Sequence, residues 1–106
     1  MSDAVSEYEK LVRALTKIQG VTAGQMFGKP CLKVNGKAFV AQHHGTVVFK
    51  LTSPQLEKAL AVEGAVLWDP SGKARPMKEW VAIPASECKN YRALANAALE
   101  FVSSNA

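Results

Sequence analysis

One basic stretch of the sequence, GKARPMKEW at residues 72–80, has the residue types of an anion site. Lys73, Arg75 and Lys78 place three cationic groups close together along the chain. A planar guanidinium binds phosphate or carboxylate through paired hydrogen bonds, and lysines add charge. The stretch is not a phosphate-binding P-loop, because the second glycine and the Lys-Ser/Thr pair are missing.

The same stretch also has a structural interpretation, which we favour. Gly72 completes a DPSG turn signal, and Pro76 fixes the backbone before a strand. Met77 and Trp80 supply apolar bulk that would close one end of a core. We therefore expect a structural loop that leads into a strand, and the anion site stays as the alternative.

The other chemically capable side chains indicate no further site. His43 and His44 are neighbours on a turn, so their imidazoles diverge, and the spacing places no third metal ligand. Cys31 and Cys88 are far apart, and no local base would activate either thiol. We expect no disulfide, no metal and no cofactor. No Ser-His-Asp grouping or carboxylate pair can be placed, so we expect a protein that is not an enzyme.

Size and composition indicate one ordinary domain covering residues 1–106. Hydrophobic residues make up 48% of the chain and charged residues 21%, which is typical of a globular protein with one core. No apolar run is long enough to span a bilayer, and the start MSDAVSEYEK does not resemble a secretory signal. Together with two reduced thiols, these features predict a cytoplasmic protein with no membrane partner.

The net charge of +4 is unevenly distributed. No acidic residue lies between Glu9 and Glu57, although that segment holds seven lysines and arginines. Such asymmetry is typical of binding to an anionic partner, but lysines also keep a sheet soluble and stop its edges from pairing. We favour the second explanation, because no lysine alternates with an exposed-looking aromatic residue. Weak nucleic-acid or anion binding by Lys33, Lys50 and the cations of residues 72–80 is the alternative.

Apolar periodicity predicts helices near both termini and a short one in the middle. The first helix has a stripe at three- and four-residue steps, formed by Val5, Tyr8, Leu11, Val12, Leu15 and Ile18. The middle helix follows Ser53 and Pro54. The last helix has its own stripe, formed by Tyr91, Leu94, Ala95, Ala98, Phe101 and Val102. The segments AVLW at residues 65–68 and WVAI at residues 80–83 predict two strands.

Between the first two helices, the block CLKVNGKAFVAQHHGTVVFKL predicts a three-stranded antiparallel meander. Asn35-Gly36 is a strong signal for a two-residue type I′ turn, which sets Leu32 opposite Phe39. The second turn has two alternatives. A two-residue turn sets Phe39 opposite Lys50, whereas a three-residue turn sets Phe39 opposite Phe49.

The need for one continuous apolar face decides between these turns. Only the three-residue turn, with Gly45 left-handed in a bulge, provides that face. The predicted core face consists of Leu32, Val34, Phe39, Ala41, Val47, Phe49 and Leu51. The opposite face has a row of Lys33, Ala38 and Lys50 beside a row of Cys31, Val40 and Val48. The predicted class is α+β, with helices on one face of a mostly antiparallel sheet made of the meander and two further strands.

Two motifs, in this order and spacing, give the sequence a family resemblance. QMFGKP precedes the meander, and GKARPMKEW precedes the last predicted strand. Together with HGTVVFK they resemble the TfoX N-terminal domain family and, more distantly, the YjbR-like proteins. The matching motif positions include Met26, Phe27, Gly28, Gly72, Arg75, Pro76, Met77 and Trp80. The resemblance implies a secretion-chaperone-like domain with helices against an antiparallel sheet, and it carries over no catalytic residue.

The function that this resemblance favours is a small regulatory or protein-interaction module. Its partner would be a protein. We predict the contact surface on the mixed outer face of the sheet, around Cys31, Val40 and Val48. The same surface would support a weak homodimer, so the predicted state is a monomer or a weak dimer.

Overall fold

The computed structural model describes residues 3–26, 28–43, 45–68 and 77–104, apart from the side chains of Met26, Met77 and Lys78. Several residues named by the sequence analysis lie outside this part of the chain, namely Phe27, His44, Gly72, Lys73, Arg75 and Pro76. The proposed anion site and the proposed turn before the last strand are therefore only partly described.

Three α-helices and six strands follow one another along these residues. In chain order they are α1 (Ala4–Leu15), β1 (Val21–Met26), β2 (Lys29–Val34), β3 (Lys37–His43), β4 (Thr46–Lys50), α2 (Gln55–Leu60), β5 (Val66–Trp68), β6 (Met77–Pro84) and α3 (Tyr91–Ser104). A 3₁₀ segment, Ala85–Asn90, leads into α3. The strands form one sheet in the order β1-β2-β3-β4-β6-β5, and all neighbours are antiparallel. The predicted α+β class is confirmed.

The sheet has one strand more than the sequence predicts. All six residues of β1 pair with β2 in an unbroken register. The sequence VTAGQM has no period-two alternation, so its strand character comes from pairing with β2 rather than from local pattern. β6 also begins earlier than predicted, at Met77. The second half of GKARPMKEW is therefore strand and not loop.

The three helices bury their apolar sides against one face of this sheet, which we call the helix side. The helical residues buried there are Ala4, Tyr8, Leu11, Leu15, Ala59, Tyr91, Ala95, Ala98 and Val102. Asp3 is the N-cap of α1, and its carboxylate accepts a hydrogen bond from the Ser6 N–H at 2.8 Å. The predicted stripe is wrong at two positions, because Val5 is 53% exposed and Ile18 is 40% exposed. Ala4 takes the buried position beside Val5, and α1 ends before Ile18.

Tyr91 connects α3 to the sheet. Its hydroxyl donates a buried hydrogen bond of 2.8 Å to the Ile83 carbonyl oxygen of β6. Its ring lies 5.5 Å from the ring of Phe49, measured between centroids. Burial raises the pKa of the Tyr91 phenol above its ordinary value, so the side chain stays neutral and keeps this hydrogen bond over the physiological range.

A β-bulge in β3 decides which of its residues face the helices. Lys33 of β2 pairs with Ala38, but Leu32 pairs with Val40, so Phe39 is an extra residue in β3. Phe39 and Val40 both belong to the helix-side cluster, although they are consecutive. Ala41 then lies on the opposite face. The bulge thus reverses the side-chain alternation of β3 at one point.

Because of the bulge, the predicted contacts of β3 are partly wrong. Leu32 lies opposite Val40 and not opposite Phe39. Phe39 and Phe49 share the helix side, as predicted. Val40 and Ala41 have exchanged faces relative to the prediction, with Val40 toward the helices and Ala41 away from them.

The two turns of the meander have different outcomes. Asn35 and Gly36 have φ values of 52° and 84° between paired Val34 and Lys37, so the predicted type I′ turn is confirmed. The second turn is a two-residue turn, because His43 pairs directly with Thr46. The three-residue alternative is wrong, and Gly45 lies outside the left-handed region. The continuous apolar face that seemed to need a longer turn comes from the bulge instead.

Two glycines with positive φ should respond differently to alanine. Gly36 has φ +84° and open space where a Cβ would lie, so Gly36→Ala should cost about 1 kcal/mol for the left-handed backbone alone. Gly64 has φ +81°, and a Cβ there would lie 2.9 Å from Pro84 Cγ, so Gly64→Ala should cost roughly 1–3 kcal/mol more. Urea unfolding of both variants measures the difference. Equal losses would mean that Gly64 does not approach Pro84 closely.

Candidate functional site

The sheet face turned away from the helices carries a buried cluster of its own. We call it the far face, and its buried residues are Cys31, Ala41, Val48, Trp68, Trp80 and Ala82. All of them come from strands, whereas α1, α2 and α3 all contribute to the helix-side cluster. The sheet therefore has a buried apolar cluster on each face, whereas the predicted outer face was a mixed, exposed surface.

A row of small side chains crosses the far face from one sheet edge to the other. Its members pair in sequence across all six strands: Gly24, Cys31, Ala41, Val48, Ala82 and Val66. None is larger than valine, so these side chains extend only a short distance from the sheet. They leave room for the larger indoles of Trp68 and Trp80 on the same face.

The two indoles form the most specific contacts of the far face. Trp68 and Trp80 meet edge to face with ring centroids 5.5 Å apart, and they are only 3% and 4% exposed. The Trp68 indole N–H donates to His43 Nδ1 at 2.6 Å. Trp68 lies on β5 and His43 on β3, so this bond connects strands separated by β4 and β6. It requires that His43 Nδ1 carries no proton.

Cys31 has no sign of nucleophilic activation. Its side chain is fully buried in the far-face cluster, and burial raises the pKa of its thiol, although the charge of Lys33 acts in the opposite direction. An activated cysteine needs a lowered pKa and access to solvent. Cys31 and Cys88 are both free thiols, and Cys88 packs against the helix-side cluster.

Among the residues whose side chains are described, three lysines lie on the far face beside the apolar cluster. Lys29 and Lys33 alternate with Cys31 along β2, and Lys50 pairs with Trp80 across β4 and β6. The Lys50 ammonium lies 6.0 Å from the centroid of the Trp80 ring. Lys33 and Lys50 were predicted as candidate anion-binding residues, but Lys29 was not, although its position two residues before Cys31 places it on the same face of β2.

The structure does not bring the predicted anion-binding residues into one described site. Lys33 and Lys50 share the far face as predicted, but they lie on strands separated by β3, about 10 Å apart at the backbone. Lys78 is a residue of β6, and Lys73 and Arg75 lie outside the described part. Within the strands, the acidic residue Glu79 alternates onto the helix side with Val81.

The predicted protein interface is wrong in all three of its residues. Cys31, Val40 and Val48 are each 0% exposed. Val40 faces the helices, and the other two are buried among the side chains of the far face. These residues are already occupied by contacts within the chain, so they cannot be the surface of a partner complex or of the predicted weak homodimer.

The motif residues that the structure describes are Met26 in β1, Gly28 after it, and Met77 and Trp80 in β6. Gly28 has φ +75°, a conformation that favours glycine. Met26 is the last residue of β1 and Met77 the first of β6. Trp80 is buried, as predicted, but in the far-face cluster and not at one end of the helix-side core.

Two clefts of the described structure share Phe101 of α3 as a lining residue. The first has a volume of about 280 Å³ and is lined by Lys37, Lys50, Glu79, Phe101 and Val102. The second, of about 220 Å³, is lined by Thr52, Gln55, Ala97, Glu100, Phe101 and Ser104. The first cleft places Lys50 near an acidic residue, so its charge is mixed and does not single out an anionic ligand.

Other kinds of site and relationship give no further guidance. Among the residues with a described placement, no three or more His, Cys, Asp or Glu side chains are grouped as a metal site requires. No helix in those ranges is long and apolar enough to cross a membrane. Comparison of the chain with family models, with curated proteins and with solved structures gives no match.

Removing a far-face indole should destabilise the protein strongly. Trp80→Ala should cost about 3 kcal/mol or more, because it deletes a buried aromatic side chain and its contact with Trp68. Lys50→Gln is the matched control on the paired residue, and it should change the free energy of unfolding by only a few tenths of a kcal/mol. Urea denaturation measures both. A small loss for Trp80→Ala would show that the far-face cluster contributes little to the fold.

Proposed function

We propose that this chain is a non-enzymatic, regulatory interaction module of the TfoX N-terminal domain kind, which acts in the cytoplasm by binding a protein partner. The observation that carries the proposal is a difference between the two faces of the sheet. The helix side holds all three helices, and the far face presents Lys29, Lys33 and Lys50 with no acidic residue among its described strand positions. A partner on that face would meet lysine side chains.

The charge of the far face defines the partner that fits it. Apart from Val66, which is 58% exposed, its larger apolar residues are buried within the chain, so the face offers little hydrophobic contact area. Lysines on partly buried strand positions keep their stems on the sheet and their charged ends in water. The complementary surface is acidic, and such complementarity contributes specificity and association rate.

Nucleic-acid or anion binding is the second candidate, because the same lysines would also attract phosphates. One feature favours a protein partner. Binding of single strands usually combines lysines with aromatic rings on which bases stack. Trp68 and Trp80 are 3% and 4% exposed, so neither ring offers a stacking surface.

Capture from an extract of the protein's own cells tests the proposal with two matched variants. One variant changes Lys29, Lys33 and Lys50 to Gln. The control changes three exposed lysines away from the strands, Lys17, Lys58 and Lys89, to Gln, which removes the same charge. We expect a partner protein to be retained by wild type and by the control, and to be lost from the far-face variant.

The same experiment separates the two candidates. Treatment with nuclease should leave a protein complex intact, whereas a nucleic-acid complex would be destroyed. Fluorescence anisotropy with labelled single-stranded DNA gives the direct comparison, since phosphate contacts lose affinity steeply as salt rises. Equal capture by both lysine variants, or loss on nuclease treatment, would contradict the protein-binding function.

A further inference from the structure

β1 is an edge of the sheet formed by the described strands, and its sequence lacks the usual protection of an edge. The opposite edge, β5, has three residues, whereas β1 has six. The sequence of β1, VTAGQM, contains neither a charged residue nor a proline, and its register with β2 has no bulge. Short strands, charges, prolines and bulges are the devices that normally keep an edge from pairing with another chain.

The hydrogen bond between Asn35 N–H and the Gly20 carbonyl oxygen, 3.1 Å, shows which backbone groups of β1 point outward. Hydrogen-bonded and non-hydrogen-bonded pairs alternate along an antiparallel ladder. Starting from the Gly20–Asn35 pair, Thr22 and Gly24 use their backbone groups toward β2. The N–H and C=O groups of Ala23 and Gln25 therefore face away from β2, and both residues are exposed.

Lys33 gives this edge a charge that β1 itself does not have. A Cβ built on Gly24 would lie 3.5 Å from Lys33 Cε and 3.7 Å from Lys33 Nζ. The lysine side chain of β2 thus leans across Gly24 toward the sheet edge, over the space that any other residue would fill with its own side chain. A strand added beside β1 would bring one of its far-face side chains close to this ammonium.

We propose that β1 is a docking edge for an extended segment of the partner protein, with an Asp or Glu side chain of that segment next to Lys33. This proposal rests on the protein-binding function proposed above and specifies where the partner is held. Backbone hydrogen bonds to Ala23 and Gln25 supply affinity, and the Lys33 contact selects an acidic side chain.

A second copy of the chain is a poorer occupant of the same edge. Antiparallel pairing of β1 with its own copy would bring two Lys33 ammonium groups to the same junction. β1 has no acidic residue to compensate for them. Like charges placed together disfavour self-pairing, so the lysine both discourages a homodimer and favours an acidic partner strand.

Selection of peptides against the wild-type domain tests the docking edge. The probe is a library of random dodecapeptides displayed on phage, and enriched sequences are synthesised with an N-terminal fluorophore. We expect enriched peptides to carry Asp or Glu. Ala23→Pro removes one outward N–H and leaves the pairing of β1 with β2 intact, so it should weaken binding at least tenfold. The melting temperature of Ala23→Pro checks that the variant is folded.

Charge exchange tests the role of Lys33. Wild type should prefer the selected acidic peptide over its copy with Lys in place of the acid by about threefold, and K33E should reverse that preference. Amide hydrogen exchange of wild type gives a readout that needs no variant. The Ala23 and Gln25 amides should gain protection on peptide binding, while those of Thr22 and Gly24, already paired with β2, should change little.

Several results would overturn the docking edge. They are a selection that yields no binder, peptides that bind Ala23→Pro as well as wild type, protection outside β1, and a wild-type homodimer that Ala23→Pro abolishes. Capture from cell extract tests the proposed protein-binding function independently of the docking edge. A partner retained equally by wild type and Ala23→Pro would keep the protein-binding function and remove β1 as its site.

Discussion

The architecture of this protein depends on one extra residue in the third strand. At the bulge, Phe39 and Val40 follow one another and yet both face the helices. The strand therefore contributes two adjacent large side chains to the helix-side core. After the bulge the alternation is reversed, which places Ala41 on the far face beside Val48 and Cys31. Without the bulge, Val40 would occupy that position on the far face in place of Ala41.

The parts of the fold that depend on local chemistry were predictable from the sequence. Asn35-Gly36 specifies its turn because both residues adopt positive φ, and the helix stripes follow from apolar spacing. The bulge was not predictable, because the side chains of Phe39, Val40 and Ala41 can lie on either face of the strand. Their faces depend on which residue is the extra one. β1 was missed for a related reason: its small residues have no alternation, and only pairing with β2 makes it a strand.

The same distinction applies to the candidate site. Lys33 and Lys50 were placed on the correct face, since alternation within a strand is a local property. The burial of Cys31 and Val48 was not foreseen, because they cluster with two tryptophans that are distant in sequence. The burial of Val40 was not foreseen, because it depends on the bulge that turns this residue toward the helices. The bond between Trp68 and His43 spans 25 residues and has no signal in the local pattern.

These features together limit where a partner can be held. Apolar clusters on both faces bury most of the hydrophobic side chains of the sheet, so the proposed binding would fall to charged side chains and to unpaired backbone groups. The far-face lysines and the outward groups of β1 are of these two kinds, and the Lys33 side chain lies next to both because it crosses Gly24. A polar surface of this sort suits a partner that is exchanged rather than permanently assembled.

Cross-strand NOEs between β2 and β3 test the bulged register most directly. The structure predicts backbone proton contacts for Lys33 with Ala38, Leu32 with Val40 and Cys31 with Ala41. Contacts of Leu32 with Phe39 and of Cys31 with Val40 would instead show the register without the bulge. That result would place Ala41 among the helices and Val40 on the far face, and the described arrangement of the two faces would be wrong.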